Sequence, residues 1–414
     1  MTAPLWDPAL PVVVAVEGGL LLADPVAEAE LARIIRSMPT PPADLPLNTV
    51  LLRWLQDQAA AGRSLALLDR RGDGLAEALA ARVGPWLHVV QEKPPGNFLW
   101  IGPAPAQTPE PGGTAVEVRS AFPLPARPLE ALWRGMRPHH WVKNLLVFLP
   151  LIAAHRWHDP AAWGLALLAL AVFCLATSAV YLANDLFDLA DDRAHPQKRL
   201  RPVAAGHLGV AATAGAAAAL VLLALGLAGL AGAGLPIVVA GYATAAMAYS
   251  LRLKRLAYAD VIWLAGLYVV RVLAGAAATG IAPSGWLIAF CGLLMGALAA
   301  AKRCAELHAT PERAARRGYA PGHLRGLVAL GLAASGAAVA VLLLYAVQAE
   351  AAALYPRPWM LRPLAVVLAL WLARIWAMVA RDRLGADPIL FALRDRISWL
   401  ALALVAGLFA AAAV

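Results

Sequence analysis

Residues 181–201 read YLANDLFDLADDRAHPQKRLR, and the reading of this stretch decides what kind of chain it belongs to. An apolar run of membrane-spanning length ends there in Asn184, Asp185, Asp188 and Asp192. His195, Lys198, Arg199 and Arg201 follow at once. On a continuous helix the spacing of three and four places Asp185, Asp188 and Asp192 on one face. That placement is costly twice over. A helix C-terminus carries partial negative charge that disfavours anions, and carboxylates at the edge of a membrane segment repel one another. Asp191 adds a further charge on a neighbouring face. A divalent cation resolves the conflict, since an oxygen-only donor set suits Mg²⁺, which commonly joins carboxylates to substrate phosphates. The competing reading is a solvated acidic cap with surface ion pairs.

A chain of 414 residues has room for more than one domain. Hydrophobic residues make up 61% and charged residues 15%, too apolar for an ordinary soluble protein. Most of the apolar content lies after Arg137. The formal charge of +9 is carried largely by basic residues between apolar segments. That pattern fits the positive-inside rule and a membrane better than a nucleic-acid patch. Cys174, Cys291 and Cys304 show neither disulfide nor zinc spacing. The N-terminus lacks a basic stretch followed by an apolar core, so no cleaved signal peptide is expected.

The first part of the chain alternates strand and helix signals. Residues 11–16 (PVVVAV) read as a buried strand, followed by a Glu17-Gly18-Gly19 turn and helices over 25–37 and 47–61. Strands over 64–68 and 87–90 flank a helix over 75–83, which predicts a small α/β unit with a parallel sheet. The spacing resembles a degenerate haloacid dehalogenase-like phosphatase domain. In that family an aspartate nucleophile ends the first strand, whereas the run here is Ala15-Val16-Glu17-Gly18-Gly19, with alanine at the nucleophile position. Asp69 or a neighbour stands where the family has Ser or Thr. A phosphoaspartyl mechanism needs that first carboxylate, so the resemblance implies a pseudo-phosphatase or docking domain over 1–92. An unrelated α/β domain is the alternative. Residues 93–126 then read as a Pro/Gly-rich linker. Leu129, Leu132, Trp133 and Met136, with Arg127, Arg134 and Arg137 around them, predict a short helix at a membrane surface or packed on the small domain.

Apolar segments recur from there to the end, over 141–155, 161–183, 207–231, 234–250, 259–279, 284–301, 326–348, 359–379 and 397–413. The fold expected for 127–414 is therefore an all-α polytopic membrane bundle of about nine helices. Runs of Ala, Gly and Leu favour close helix packing. The connections alternate. One set holds Arg193, Lys198, Arg199 and Arg201; Arg252, Lys254 and Arg255; Lys302, Arg303, Arg313, Arg316, Arg317 and Arg325; and Arg381, Arg383, Arg394 and Arg396. The other has little beyond Arg156, Arg357 and Arg362. The basic set, and the N-terminal domain with it, is expected at the cytoplasmic face of a bacterial-type inner membrane, with the C-terminus outside.

Four charged constellations share that face. In the first, Asp185, Asp188 and Asp192 would hold Mg²⁺, Asn184 would orient the site, and Lys198 and Arg201 would meet phosphate oxygens. The second is YSLRLKR over 249–255, followed by Asp260 and Arg271. Arg271 sits well inside an apolar run, where a charge faces a cavity or a partner, Asp260 being the candidate. The third is AKRCAEL over 301–307, in which Lys302 and Glu306 either pair across one turn or line the same pocket. The fourth runs from Asp387-Pro388 to Asp395-Arg396 and either closes the pocket or anchors the last helix.

Together these residues resemble the UbiA superfamily of intramembrane prenyltransferases, and within it the polyprenyl-phosphate phosphoribosyltransferase branch. The resemblance rests on Asn184-Asp185-x-x-Asp188-x-x-x-Asp192, Arg137-Pro138-x-x-Trp141-Val142-Lys143-Asn144 and His195-Pro196-x-Lys198-Arg199-x-Arg201-Pro202 with Gly206. Residues 249–255, Lys302-Arg303-x-x-Glu306-Leu307 and Asp387-Pro388-x-x-Phe391-Ala392 continue it. It implies catalytic, metal-binding Asp185, Asp188 and Asp192. It also implies substrate contacts from Lys143, Asn144, Asn184, His195, Lys198, Arg201, Tyr249, Arg252, Lys254, Lys302, Arg303 and Glu306. One departure bears on the substrate: where aromatic prenyltransferases carry a second D-x-x-x-D motif, this chain has Lys302, Arg303 and Glu306. The branch implies Mg²⁺-dependent transfer of 5-phosphoribosyl from phosphoribosyl diphosphate to a polyprenyl phosphate, in cell-envelope glycolipid synthesis. The alternatives are prenyl transfer from a polyprenyl diphosphate to an aromatic acceptor, and a non-catalytic lipid-binding protein.

Overall fold

The computed structural model describes residues 10–16, 20–22, 25–34, 44–69, 71–92, 98–102, 113–117, 128–309, 314–315, 317–384 and 387–413. The Glu17-Gly18-Gly19 turn, Arg127, Arg313, Arg316 and most of the expected linker lie outside them. The chain begins with β1 (Val12–Ala15), α1 (Pro25–Ile34), α2 (Thr49–Ala60), β2 (Leu65–Leu68), α3 (Leu75–Val83) and β3 (Leu87–Val90). It continues with β4 (Phe98–Gly102), β5 (Gly113–Glu117) and α4 (Pro128–Met136). A 3-10 helix over Pro138–Phe148 leads to α5 (Leu149–Ala153), α6 (Pro160–Phe187), α7 (Leu189–Ala194), α8 (Val210–Ala228) and α9 (Gly234–Leu251). The remaining helices are α10 (Ala259–Thr279), α11 (Gly285–Ala309), α12 (Leu324–Tyr345), α13 (Ala349–Leu354), α14 (Leu361–Ala380), α15 (Pro388–Arg394) and α16 (Arg396–Ala413).

The chain divides into two compact units, 1–137 with 181–218, and 138–180 with 219–414. The first contains a five-stranded sheet, all parallel, in the order β3-β2-β1-β4-β5. β1 is central because Val12, Val13 and Val14 are fully buried, as a parallel strand covered on both faces requires. Leu51 and Leu55 of α2 and Leu79 of α3 close one face over Leu65 and Leu67. Asn48 caps α2, its Oδ1 accepting from the Val50 and Leu51 amides at 3.1 Å each. The expected boundary at residue 92 needs correction, since β4 and β5 fall inside the stretch read as linker. Their short apolar runs are flanked by Pro and Gly, which obscured them. Leu129 and Trp133 on α4 are 80% and 52% exposed, which favours the membrane-surface reading of that helix over core packing.

The second unit is helical. Among the described residues, eight helices are long and apolar enough to cross a membrane: Pro160–Phe187, Val210–Ala231, Gly234–Leu251, Ala259–Thr279, Gly285–Ala309, Pro321–Tyr345, Pro358–Ala380 and Arg396–Ala413. Leu222, Ile237, Ile262 and Leu370 remain exposed on them, as lipid-facing side chains would be. The segment expected over 141–155 is not a long α-helix. Pro150 lacks an amide donor and cannot sit inside one, so the chain forms an 11-residue 3-10 helix that passes into α5 with Pro150 in the first turn. This segment runs antiparallel to α6: Trp141 Nε1 donates to Ser178 Oγ at 3.0 Å, Asn144 meets Thr177, and Phe148 meets Trp163. At about 2.0 Å per residue in the 3-10 helix and about 1.5 Å in α5, it reaches about 30 Å, the thickness of a bilayer core. Gly275 of α10 lies so close to the Val147 carbonyl that a β-carbon there would overlap it.

Candidate active site

The acidic stretch belongs to the first unit. α6 continues through Asn184 and Asp185, and the helix is interrupted at Asp188 (φ −95°, ψ 11°), which caps α7. The expected single helix over 185–192 is therefore two. The backbone nonetheless keeps its step, with the Asp188 amide on the Asn184 carbonyl at 2.9 Å and the Asp192 amide on the Asp188 carbonyl at 2.7 Å. Asp185 and Asp192 are buried, at 2% and 1% exposure.

Cations converge on both. Arg137 Nη2 donates to Asp185 Oδ1, and Arg201 Nη1 reaches the same oxygen at 3.4 Å and Asp192 Oδ2 at 2.5 Å. Lys198 Nζ lies 3.0 Å from Asp192 Oδ1. Ion pairing thus relieves part of the repulsion that the sequence predicts. Arg137, quoted for its motif but absent from the expected substrate contacts, takes left-handed φ of 56°, with its guanidinium over the Tyr181 ring at 5.1 Å. A non-glycine residue in that region costs roughly 1 kcal/mol, which here sits at a candidate functional residue. His195 Nδ1 accepts from the Gln197 and Lys198 amides at 3.2 and 3.4 Å, so its described contacts cap a turn.

Among the described residues, no three carboxylate, imidazole or thiol groups are gathered where one ion could be held. Two buried acceptors, Asp185 Oδ2 and Asn184 Oδ1, have no hydrogen-bond partner among those residues. Such groups carry a desolvation cost that a hard cation would offset. The donor chemistry therefore fits Mg²⁺, although Asp185, Asp188 and Asp192 do not form a preassembled triad.

The second unit carries two further charged groups. In one, Lys143 Nζ donates to Asp387 Oδ2 at 2.5 Å and Lys302 Nζ lies 3.8 Å from the same oxygen. Asp387 Oδ1 caps α15 through the Ile389 and Leu390 amides at 3.0 and 3.3 Å. Burial pushes the Asp387 carboxyl up, but Lys143 and Lys302 outweigh it and hold the group below the usual carboxylate range. Asn144 is fully buried and tied internally: Nδ2 donates to Thr177 Oγ1 at 3.2 Å, and Oδ1 accepts from Arg271 Nε at 2.9 Å. Its described bonds are structural rather than substrate-facing.

Arg271 does not pair with Asp260. It also donates to the Leu267 carbonyl and to Tyr242 Oη, and its guanidinium lies 5.1 and 5.3 Å from the Tyr242 and Tyr268 rings. Asp260 belongs instead to a buried network around Arg303. Arg303 Nε donates to Asp260 Oδ2 at 2.5 Å, Nη1 to Glu306 Oε2 at 2.5 Å and Nη2 to Tyr249 Oη at 2.8 Å. Tyr319 donates to Asp260 Oδ1, and Arg317 donates to Tyr249 Oη at 3.2 Å. Burial, then the hydrogen bond to Asp260, raises the Tyr319 pKa above the ordinary phenol value.

Glu306 therefore pairs with Arg303. The sequence singles out Asp260 as a candidate partner for Arg271, whereas Tyr319 and Arg317 are members of the network that the sequence reading missed. Only their place near the ends of apolar runs could have flagged them. Arg252 is exposed at the end of α9 and Lys254 is half-buried in the following turn.

Comparison with known proteins bears on this arrangement. A model of the UbiA prenyltransferase family matches residues 145–402. The uncharacterised protein y4nM of Sinorhizobium fredii is 32% identical over 411 residues, spanning 89% of this chain and 79% of that protein. The decaprenyl-phosphate phosphoribosyltransferase of Mycobacterium tuberculosis is 34% identical over 309 residues, 70% of this chain and 96% of that protein. Among solved structures, a UbiA homolog from Archaeoglobus fulgidus bound to GPP and Mg²⁺ shares the fold with a TM-score of 0.53 at 17% identity. The match covers 68% of this chain and 99% of that one.

Proposed function

The chain belongs to the UbiA prenyltransferase family, and on that premise we propose that it transfers a 5-phosphoribosyl group from phosphoribosyl diphosphate to a polyprenyl phosphate. One observation carries the reading: cations outnumber the carboxylates they touch at both candidate sites. Arg137, Lys198 and Arg201 serve Asp185 and Asp192, while Lys143 and Lys302 share Asp387. That surplus suits two substrates that both carry phosphate groups better than one lipid diphosphate and an aromatic acceptor without phosphate. The similarity to decaprenyl-phosphate phosphoribosyltransferase supports the same choice.

Asp185, Asp188 and Asp192, with Asn184, would hold Mg²⁺. When bound, the ion supplies charge neutralisation for the departing diphosphate. Arg201 and Lys198 are poised to leave Asp192 for phosphate oxygens, Arg201 by a two-pronged contact and Lys198 as a point charge. Lys143 and Lys302 would bind a second phosphate, with Asp387 holding both ammonium groups in place. The C1–O bond of the ribose to diphosphate breaks, an oxygen of the lipid phosphate bonds to C1, and diphosphate leaves. The lipid phosphate is already ionised near neutral pH, so the reaction depends chiefly on alignment. The basic connections and the N-terminal domain are assigned to the cytoplasmic face. The α/β domain, with Ala15 ending its central strand, is read as having no phosphatase activity.

The test is transfer of radiolabelled phosphoribosyl to polyprenyl phosphate by purified protein in detergent, beside a reaction given 4-hydroxybenzoate and a polyprenyl diphosphate. The expected product is phosphoribosylated lipid, formed only with divalent metal. Prenylated aromatic product without ribose transfer would reject the assignment. Full activity in Asp185→Ala would reject the site.

A further inference from the structure

The α/β domain is bound to the acidic stretch through one buried ion pair. Arg193 follows Asp192 directly, and its guanidinium meets the Glu28 carboxylate of α1 with both arms, Nη2 to Oε1 at 2.6 Å and Nη1 to Oε2. Arg193 and Glu28 side chains are only 2% and 6% exposed, although 165 residues separate them. The remaining arm, Nε, donates to the Ala204 carbonyl at 3.0 Å. A single side chain therefore fastens α7 to the far end of the loop that carries Lys198 and Arg201, and fastens both to α1.

A second contact reinforces this arrangement. Gly206, at φ 75°, lies where a β-carbon would come within 2.7 Å of Leu22 Cβ and 3.0 Å of Pro46 Cγ. The loop thus abuts the segments on either side of α1, and Leu22 and Pro46 are themselves joined by a backbone hydrogen bond of 3.0 Å. All of these residues lie in the same compact unit.

We infer that the α/β domain is a positioning element for the metal-binding stretch, and that Glu28, acting through Arg193, sets the affinity of Asp185 and Asp192 for a divalent cation. The geometry gives the reason. Lys198 and Arg201 reach Asp192 only while the 194–204 loop folds back over α7, and Arg193 holds it there. Without Glu28, the buried Arg193 loses its counter-charge and no longer fixes α7, so Asp192 is not held in place beside Asp185. A carboxylate that is not held in place is a poorer cation ligand. The inference rests on the proposed metal role of Asp185, Asp188 and Asp192. It adds a residue from a domain with no assigned part in the reaction.

The experiment titrates Mn²⁺ into the purified full chain and reads bound metal by electron paramagnetic resonance, for the wild type, Glu28→Ala, Glu28→Gln and the charge swap Glu28→Arg with Arg193→Glu. Removal of a group that orients a metal ligand costs roughly 10- to 100-fold in affinity, so Glu28→Ala should weaken Mn²⁺ binding about 10-fold by that comparison. The swap should recover most of that loss. Glu28→Gln keeps the volume and one hydrogen-bonding arm, so it should fold where Glu28→Ala does not, and it should fall between the wild type and Glu28→Ala. With saturating metal, the variants should regain turnover, which a general loss of folded protein would not permit. Wild-type affinity in both Glu28→Ala and Glu28→Gln, or a swap no better than Glu28→Ala, overturns the inference. Absence of Mn²⁺ binding by the wild type overturns the metal reading beneath it.

Discussion

Arg303→Met is the most demanding test of the interior. In the native structure the guanidinium makes three described side-chain bonds, to Asp260 and Glu306 at 2.5 Å and to Tyr249 at 2.8 Å. Asp260 is fully buried and Glu306 is 4% exposed, so neither can recover its lost partner by turning to solvent. Removing one member of a buried ion cluster costs roughly 3–5 kcal/mol, because the orphaned charge stays in a low-dielectric site. Asp260 keeps the Tyr319 hydroxyl and Glu306 keeps Arg317 at 3.8 Å, which places the expectation at the lower end of that range. The triple variant Arg303→Met, Asp260→Asn, Glu306→Gln removes the charge along with its partners. It should be more stable than the single variant, since replacing an entire buried cluster is far less costly than breaking one. Thermal unfolding in detergent, followed by tryptophan fluorescence, measures both. A single variant as stable as the wild type, or a triple variant less stable than the single one, would refute the argument that burial makes this network matter.

Other expectations follow from the same geometry. Arg201→Ala removes the group that touches both Asp185 and Asp192, and should lower kcat by roughly 100-fold if Arg201 stabilises charge in the reaction; an unchanged turnover number would count against its role. Lys143 and Lys302 hold the Asp387 carboxyl below its usual range, so its folded-state pKa lies below the unfolded value of about 4. The stabilisation from this pair is then present above about pH 4 and is lost as pH falls through the folded value. Asp387→Asn should remove that acid sensitivity in a melting series from neutral to acidic pH, and equal acid slopes in both proteins would contradict the assignment. Gly275→Ala should cost roughly 1–3 kcal/mol by overpacking against the Val147 carbonyl. Gly241→Ala on α9, with nothing within 4 Å of the added carbon, should be neutral or stabilising by up to about 1 kcal/mol; comparable melting shifts in the two variants would refute the close approach.

Much of the fold was legible because it depends on local periodicity. The strands over 12–15, 65–68 and 87–90 and the helix over 75–83 stand where alternation and apolar runs put them. Eight of the nine expected segments became long helices because unbroken apolar runs have no other way to satisfy their backbone in lipid. The exceptions have local causes. Pro150 broke the first segment into a 3-10 helix and a short α-helix, and the prolines and glycines around β4 and β5 disguised two strands as a linker.

The candidate site was legible only in part. The sequence marked Asp185, Asp188 and Asp192 as metal-binding acids, and Lys143, Lys198, Arg201 and Lys302 as cations expected to meet substrate. Which charge meets which could not be read there. The sequence leaves Lys302 and Glu306 either paired or lining one pocket, and Arg271 facing either a cavity or Asp260. The folded chain instead joins Glu306 and Asp260 to Arg303, and gives Arg271 to Asn144 and Tyr242.

The sequence by itself determined the membrane class, the acidic stretch with its flanking cations and the presence of a small parallel α/β unit. All of these follow from residue type repeated at short range. Tertiary structure alone decided that Lys143 meets Asp387 across 244 residues and that Glu28 meets Arg193 across 165. A buried charge takes whichever counter-charge the packing of distant elements brings within reach, and local spacing holds no record of that choice.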